Sequence, residues 1–144
     1  AIIRIFAPQY IFFSSSIRHH GTRFKKRLSL DPDGLLTYEY IANHIGECDN
    51  IMGELVDNMI LVDPTGQFMV SAARYLYAIN PEAYAEHISR LIATVIEKDR
   101  ERRYLPDLIT AIWGSDYADH AEELAATDDN FRRIYKRITP SQGI

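Results

Sequence analysis

Past residue 30 the apolar side chains recur three and four positions apart almost without interruption, and no stretch sustains a period-two alternation of apolar and polar residues. A stripe of that spacing lies along one face of an α-helix and fits neither face of a strand, so the class it predicts is all-α. Leu36, Tyr40, Ile41, His44 and Ile45 line a first helix that Gly46 can end. Asp49 stands where it would cap a second, with Met52, Leu55, Val56, Met59 and Ile60 inward. The turn VDPTGQ precedes a third, with Phe68, Met69, Ala72, Leu76 and Ile79 inward. Asn80-Pro81 stops it and starts the longest helix, 82 to about 103, whose tail EKDRERR reads as a solvated run of charge. Pro106 restarts the chain into a short stripe of Leu108, Ile109, Ile112 and Trp113, closed by Gly114-Ser115. Two more helices follow, about 117–126 and from Thr127 onward. In the last, Asp128 and Asp129 precede Arg132, Arg133, Lys136 and Arg137, the charge order that a helix dipole favours. The expectation is a compact domain of about six or seven helices over 31–144, with sub-lobes 31–80 and 81–144 as one division its punctuation allows.

An extended basic arm, 1–30, precedes this domain. It holds Arg4, Arg18, Arg23, Lys25, Lys26 and Arg27 and no acid, whereas the other ten basic and all twenty acidic side chains follow it. The formal net charge of −4 therefore conceals a body at −10. An acid-free leader bearing Arg, Ser and the aromatics Phe6, Tyr10, Phe12, Phe13 and Phe24 is similar to a mitochondrial transit segment or to the basic arm behind one. It reads as a docking element for neighbouring subunits or anionic lipid; the plainer reading packs it on its own domain. The acidic body disfavours nucleic acid, whose phosphates require clustered cations. Arg4, Pro8 and Gln9 interrupt the apolar start, so no run approaches the roughly 18 apolar residues of a transmembrane helix. The single cysteine, Cys48, excludes an intramolecular disulfide and a multi-thiolate zinc site.

The stretch FKKRLSLDPDGLLTYEYI, residues 24–41, resembles the helix–loop–helix of an EF-hand, and ELVDNMILVDPTGQFMVSAARYL, residues 54–76, resembles a second. Gly34 and Gly66 lie 32 residues apart, each in an Asp-Pro-x-Gly frame. The resemblance implies EF-hand-like helix pairs, with Leu36 and Phe68 where paired hands share a short two-strand contact. Calcium takes about six to eight oxygen ligands, which that family supplies from a twelve-residue loop opening on Asp and closing on a bidentate Glu. With Gly34 at the family's glycine, Asp31, Asp33 and Thr37 fall on ligand positions, but Ser29 opens the loop and Tyr40 closes it. Glu39 lies one residue early, about 100° around the helix. The second loop keeps only Asp63 and Thr65, between Leu61 and Ala72. Starting the loops at Asp31 and Asp63 instead leaves them too short to wrap an ion. Either frame lacks the closing carboxylate, so calcium binding is not expected. The same residues also read as two unrelated helix–turn–helix turns of Asp-Pro-Gly chemistry.

Other candidate ligands are sparse. His44 and Cys48 are four apart on one helix face, two ligands where zinc takes three or four. His87 and His120 stand alone, His19-His20 belongs to the arm, and Asp119-His120 beside Glu122 and Glu123 reads as a solvated face. No Ser-His-Asp order, Cys-His dyad or glycine-rich phosphate loop has a recognisable context. No catalytic, cofactor or metal residue is expected, and no enzyme. The nine Tyr suit protein interfaces. The expected role is a non-catalytic accessory subunit of a large assembly, mitochondrial, in the matrix or on the inner membrane, within ATP synthase or the respiratory chain. A calmodulin- or light-chain-like helix-binding module and an accessory protein of the mitochondrial ribosome are the alternatives.

Overall fold

The computed structural model describes residue 28 and residues 30–139. The basic arm up to residue 27, with its aromatics and His19-His20, lies outside the described residues, as does Ser29. Among the described residues there are seven α-helices and no strand, the all-α class that the spacing predicts. No helix among them is long and apolar enough to cross a membrane. They divide into two compact units, one ending at Pro64 and one beginning at Thr65.

In the first unit, α1 (Leu35–Asn43) packs on α2 (Met52–Val62), and the 3-10 turn Asp49–Ile51 leads into α2. Tyr40 and Ile41 from α1 meet a core that includes Met52, Leu55, Val56 and Met59 from α2, all essentially fully buried. Asp49 is not the N-cap of α2, a position that Ile51 takes; the chain enters α2 through the 3-10 turn instead, with Ile51 buried at its end. Leu36 and Phe68 both lie inside helices, not in a strand pair, because the backbone turns helical directly after each glycine. Gly34 and Gly66 occupy the left-handed region, φ +102° and +91°, which a β-carbon would strain.

The second unit holds α3 (Gln67–Ile79), α4 (Ala85–Lys98), α5 (Leu105–Trp113), a 3-10 turn Tyr117–His120, α6 (Ala121–Thr127) and α7 (Asp129–Ile138). The buried stripe of α3 is Met69, Val70, Ala72, Ala73 and Leu76, and that of α4 is Ile88, Leu91, Ile92, Val95 and Ile96. These two stripes face each other, the most extensive helix pair among the described residues. The turn at Asn80-Pro81 is thus the corner of an αα-hairpin, and the division into compact units falls sixteen residues earlier, at 64–65, rather than at 80–81. Helix α4 is the longest among the described residues, as expected, but is shorter than 82–103 at both ends. At its start, 81–84 form a turn in which Asn80 Oδ1 accepts the Ala83 N–H at 3.0 Å. At its end, Asp99 withdraws from solvent. Helix α7 buries Phe131 and Ile134 and packs on α4, α5 and α6. Phe131 also stands edge-on to Trp113 and Tyr117, at 5.4 and 6.1 Å between ring centres.

Candidate functional site

The turn read as a calcium loop is closed by its own donors. Asp31 is 3% exposed, and its Oδ1 accepts the N–H groups of Asp33 and Gly34 at 3.2 and 3.0 Å. Its Oδ2 accepts both the N–H and the hydroxyl of Thr37 at 2.8 Å. A carboxylate has about four lone-pair sites, and here four protein donors fill them. Gly34, which offers no side chain, is the residue at the N-cap of α1; Asp31 supplies the missing cap from three residues upstream and places its charge at the positive end of the helix. Asn58 of α2 ties in by donating to Thr37 Oγ1 at 3.0 Å and to the Leu28 carbonyl at 2.8 Å. Of the other residues tested as ligands, Asp33 accepts the Leu35 N–H, and Tyr40 is buried in the core. Glu39 is nearly buried, and its Oε2 has no hydrogen-bond partner. Burial first, and then the charge of Asp31, push its carboxyl above the ordinary value. In the second turn Asp63 is buried at the end of α2, its N–H bonded to the Met59 carbonyl, while Thr65 is exposed.

The same device recurs where the charge run EKDRERR suggested only solvation. Asp99 is 3% exposed: its Oδ1 accepts the Arg103 N–H at 2.9 Å, and its Oδ2 accepts those of Tyr104 and Leu105 at 2.7 and 2.9 Å. Asp31 reaches Thr37 and Asp99 reaches Leu105 across the same six-residue interval, each fastening the start of the helix that follows. Asp128 caps α7 in the ordinary way, accepting the Phe131 N–H at 3.2 Å, and its other oxygen takes the Trp113 indole N–H. The legible signal for Asp99 was an acid directly behind an apolar stripe and six residues ahead of a helix start.

The paired His44 and Cys48 do not form a ligand set. Burial pushes the Cys48 thiol up to about 12, so it stays protonated, and burial lowers His44 below the ordinary imidazole value. The His44 ring lies against that of Tyr40, 4.3 Å between ring centres and tilted by 30°. His120 is exposed and lies 3.4 Å from Asp116. Among the described residues no three His, Cys, Asp or Glu side chains gather closely enough to hold a metal ion.

What the fold does gather is positive charge. Of the ten basic residues past residue 30, eight fall in two segments, 98–103 and 132–137, about thirty positions apart. Helix α7 turns Phe131 and Ile134 inward, which at 100° per residue leaves Arg132, Arg133, Lys136 and Arg137 on its opposite face. Arg137 then reaches to the C-terminal end of α4 and donates to the carbonyls of Ile96, Asp99 and Arg100. It satisfies acceptors that a helix end leaves open and places a cation where the dipole is negative. Arg102 answers by donating to the Arg137 carbonyl at 3.0 Å, from a left-handed backbone at φ +57°. The result is a cleft of about 480 Å³ floored by Ile96 and lined by Arg100, Arg132, Arg133, Lys136 and Arg137 against the single carboxylate of Glu97. Arg133 lies 4.0 Å from Glu97, and Arg132 hydrogen-bonds Asp129, pulling its carboxyl below the ordinary value. Arg100 and Lys136 are exposed and make no ion pair among the described residues.

A second depression, of about 190 Å³, runs between α3, α4, α5 and α7 with Tyr77, Ile88, Ile112 and Trp113 on its walls. The chain matches no family model, no curated protein and no solved structure.

Proposed function

We propose that this chain is a non-catalytic structural subunit of a large multiprotein assembly, and we place that assembly at the mitochondrial inner membrane, as ATP synthase or a respiratory-chain complex. The observation that carries the reading is the cation cleft. A body of net charge −10 places eight of its ten cations in two segments that Arg137 and Arg102 join. The helix ends and Asp129, Glu97 and Glu101 offset part of that charge, and exposed Arg100 and Lys136 remain for a partner of opposite charge. The buried carboxylates point the same way, since Asp31 and Asp99 are spent on backbone N–H groups and serve rigidity. The mitochondrial assignment rests on the acid-free, Arg-rich residues 1–30.

The test is native electrophoresis and cross-linking of the tagged full chain in its own cells. Comigration with an inner-membrane complex is expected, and loss of that comigration on deleting residues 1–27, with helical circular dichroism retained, would identify the arm as a docking element. Migration as a free monomer overturns the assignment; comigration with the mitochondrial ribosome replaces it with the alternative. A second reading is a calmodulin-like module that clasps one amphipathic helix, for which the depression at Tyr77, Ile88, Ile112 and Trp113 is the size of a single anchoring side chain. That module clasps its helix with or without calcium, so calorimetric titration with an amphipathic helical peptide separates the two: micromolar binding of the peptide belongs to the second alone.

A further inference from the structure

We infer that the cleft between the end of α4 and the outer face of α7 docks an acidic α-helix of a protein partner. This rests on the proposed role in an assembly and names the chemistry of one contact within it. The cations of α7 stand at positions 132, 133, 136 and 137, two rows four residues or about 6 Å apart along the axis. Of these, Arg137 is bonded to the end of α4 and Arg132 to Asp129, while Lys136 faces Arg100 with no ion pair among the described residues. A partner helix with Glu or Asp at i and i+4 presents carboxylates at that same pitch, one to each row. Arg100 rises from the opposite wall and closes on the partner's flank.

The rim decides between kinds of anion. Glu97, Asp129 and Glu101 stand among the cations, with Glu101 bonded to Arg103 at 3.0 Å. A polyphosphate backbone, uniformly negative, meets these carboxylates and the acidic body as repulsion. A protein helix of mixed charge places its own Lys or Arg against them. A lipid surface is disfavoured by what the cleft lacks. Its one apolar lining residue, Ile96, is 3% exposed, and the exposed large apolar side chains Leu30, Leu61, Tyr77 and Ile79 are not among its walls.

The experiment uses the full chain and a fluorescein-labelled alanine-rich peptide that carries Glu at i, i+4 spacing along one face. Fluorescence anisotropy is expected to rise on titration, with affinity falling at least about tenfold between low salt and about 0.3 M salt. The double variant R100E/K136E, altered only at exposed positions, is expected to lose at least about tenfold in affinity with its circular dichroism unchanged. The milder R100Q/K136Q, which adds no acid, is expected to lose severalfold and keeps the test open should the first variant fold poorly. Absence of binding, or binding by both variants as tight as by the parent chain, overturns the inference. So does tighter binding of a single-stranded oligonucleotide or of phosphatidylserine vesicles than of the peptide. Any of these outcomes leaves the comigration experiment to decide the assembly role separately.

Discussion

At the residue scale the buried carboxylates divide by whether donors surround them. Asp99 meets three backbone N–H groups, and removing it strands the buried one of Leu105 and leaves the part-buried ones of Arg103 and Tyr104 to water. Asp99→Ala is expected to lower stability by about 3 kcal/mol in urea unfolding, since each buried donor left unmade costs about 1–3 kcal/mol and water recovers part. Asp99→Asn should fall between, because its amide turns an N–H toward the donors. Glu39 is the opposite case, its Oε2 buried without a partner and its carboxyl held above the ordinary value by burial and by Asp31. A carboxyl whose pKa is raised on folding stabilises at low pH, and that contribution is lost as the pH rises through the raised value. Glu39→Gln should therefore raise Tm at pH 7 and leave it nearly unchanged at pH 4. His44, lowered on folding, works the other way: its contribution is present above the ordinary imidazole value and is lost as the pH falls. Only the difference between E39Q and the parent chain isolates Glu39. A variant that gains nothing at pH 7 would show that the carboxyl is solvated after all.

At the scale of elements, the helices themselves were legible and their ends were not. Apolar spacing places Leu55, Met59 and Leu76 inward because burying such side chains stabilises each by about 1.5–3 kcal/mol. No comparable signal governs an end. Residues 99–103 look like more of α4, since Lys, Glu and Arg all suit a helix, yet Asp99 draws the chain out of it toward three N–H groups sequence reading could not place. The glycines were read correctly as turns, and what sequence missed was contact. A β-carbon at Gly66 would lie 3.3 Å from Val95 Cγ1, besides the cost of φ +91°. Gly66→Ala is expected to lose more than about 2 kcal/mol in thermal unfolding. Gly46→Ala, at φ +85° with nothing within 4 Å, should lose only the conformational part. Equal losses would show that Val95 yields freely.

At the scale of the whole molecule, one charge asymmetry could be read and the other had to be folded first. The acid-free residues 1–30 are contiguous, so counting finds them. Residues 98–103 and 132–137 each read as a helix end with the cations its dipole prefers, and only the approach of α7 to α4 makes them one surface. The candidate site was thus invisible for a definite reason: its two halves each had a sufficient local explanation.

The mutual grip of Arg102 and Arg137 sets the order in which this region opens. A helix as short as α7 ordinarily frays from its ends, and its amides exchange with solvent hydrogen well before those of a core. Here Arg137 spans to three carbonyls around the end of α4 while Arg102 holds the Arg137 carbonyl, so neither segment leaves without the other. In native-state hydrogen exchange the amides of α7 and those that Asp99 holds at Arg103, Tyr104 and Leu105 are expected to share one opening free energy. Arg137→Ala should split them, speeding α7 by about tenfold or more while the Asp99-held amides lag. If α7 exchanges first in the parent chain, the two arginines merely touch, and the cation cleft comes apart whenever that helix does.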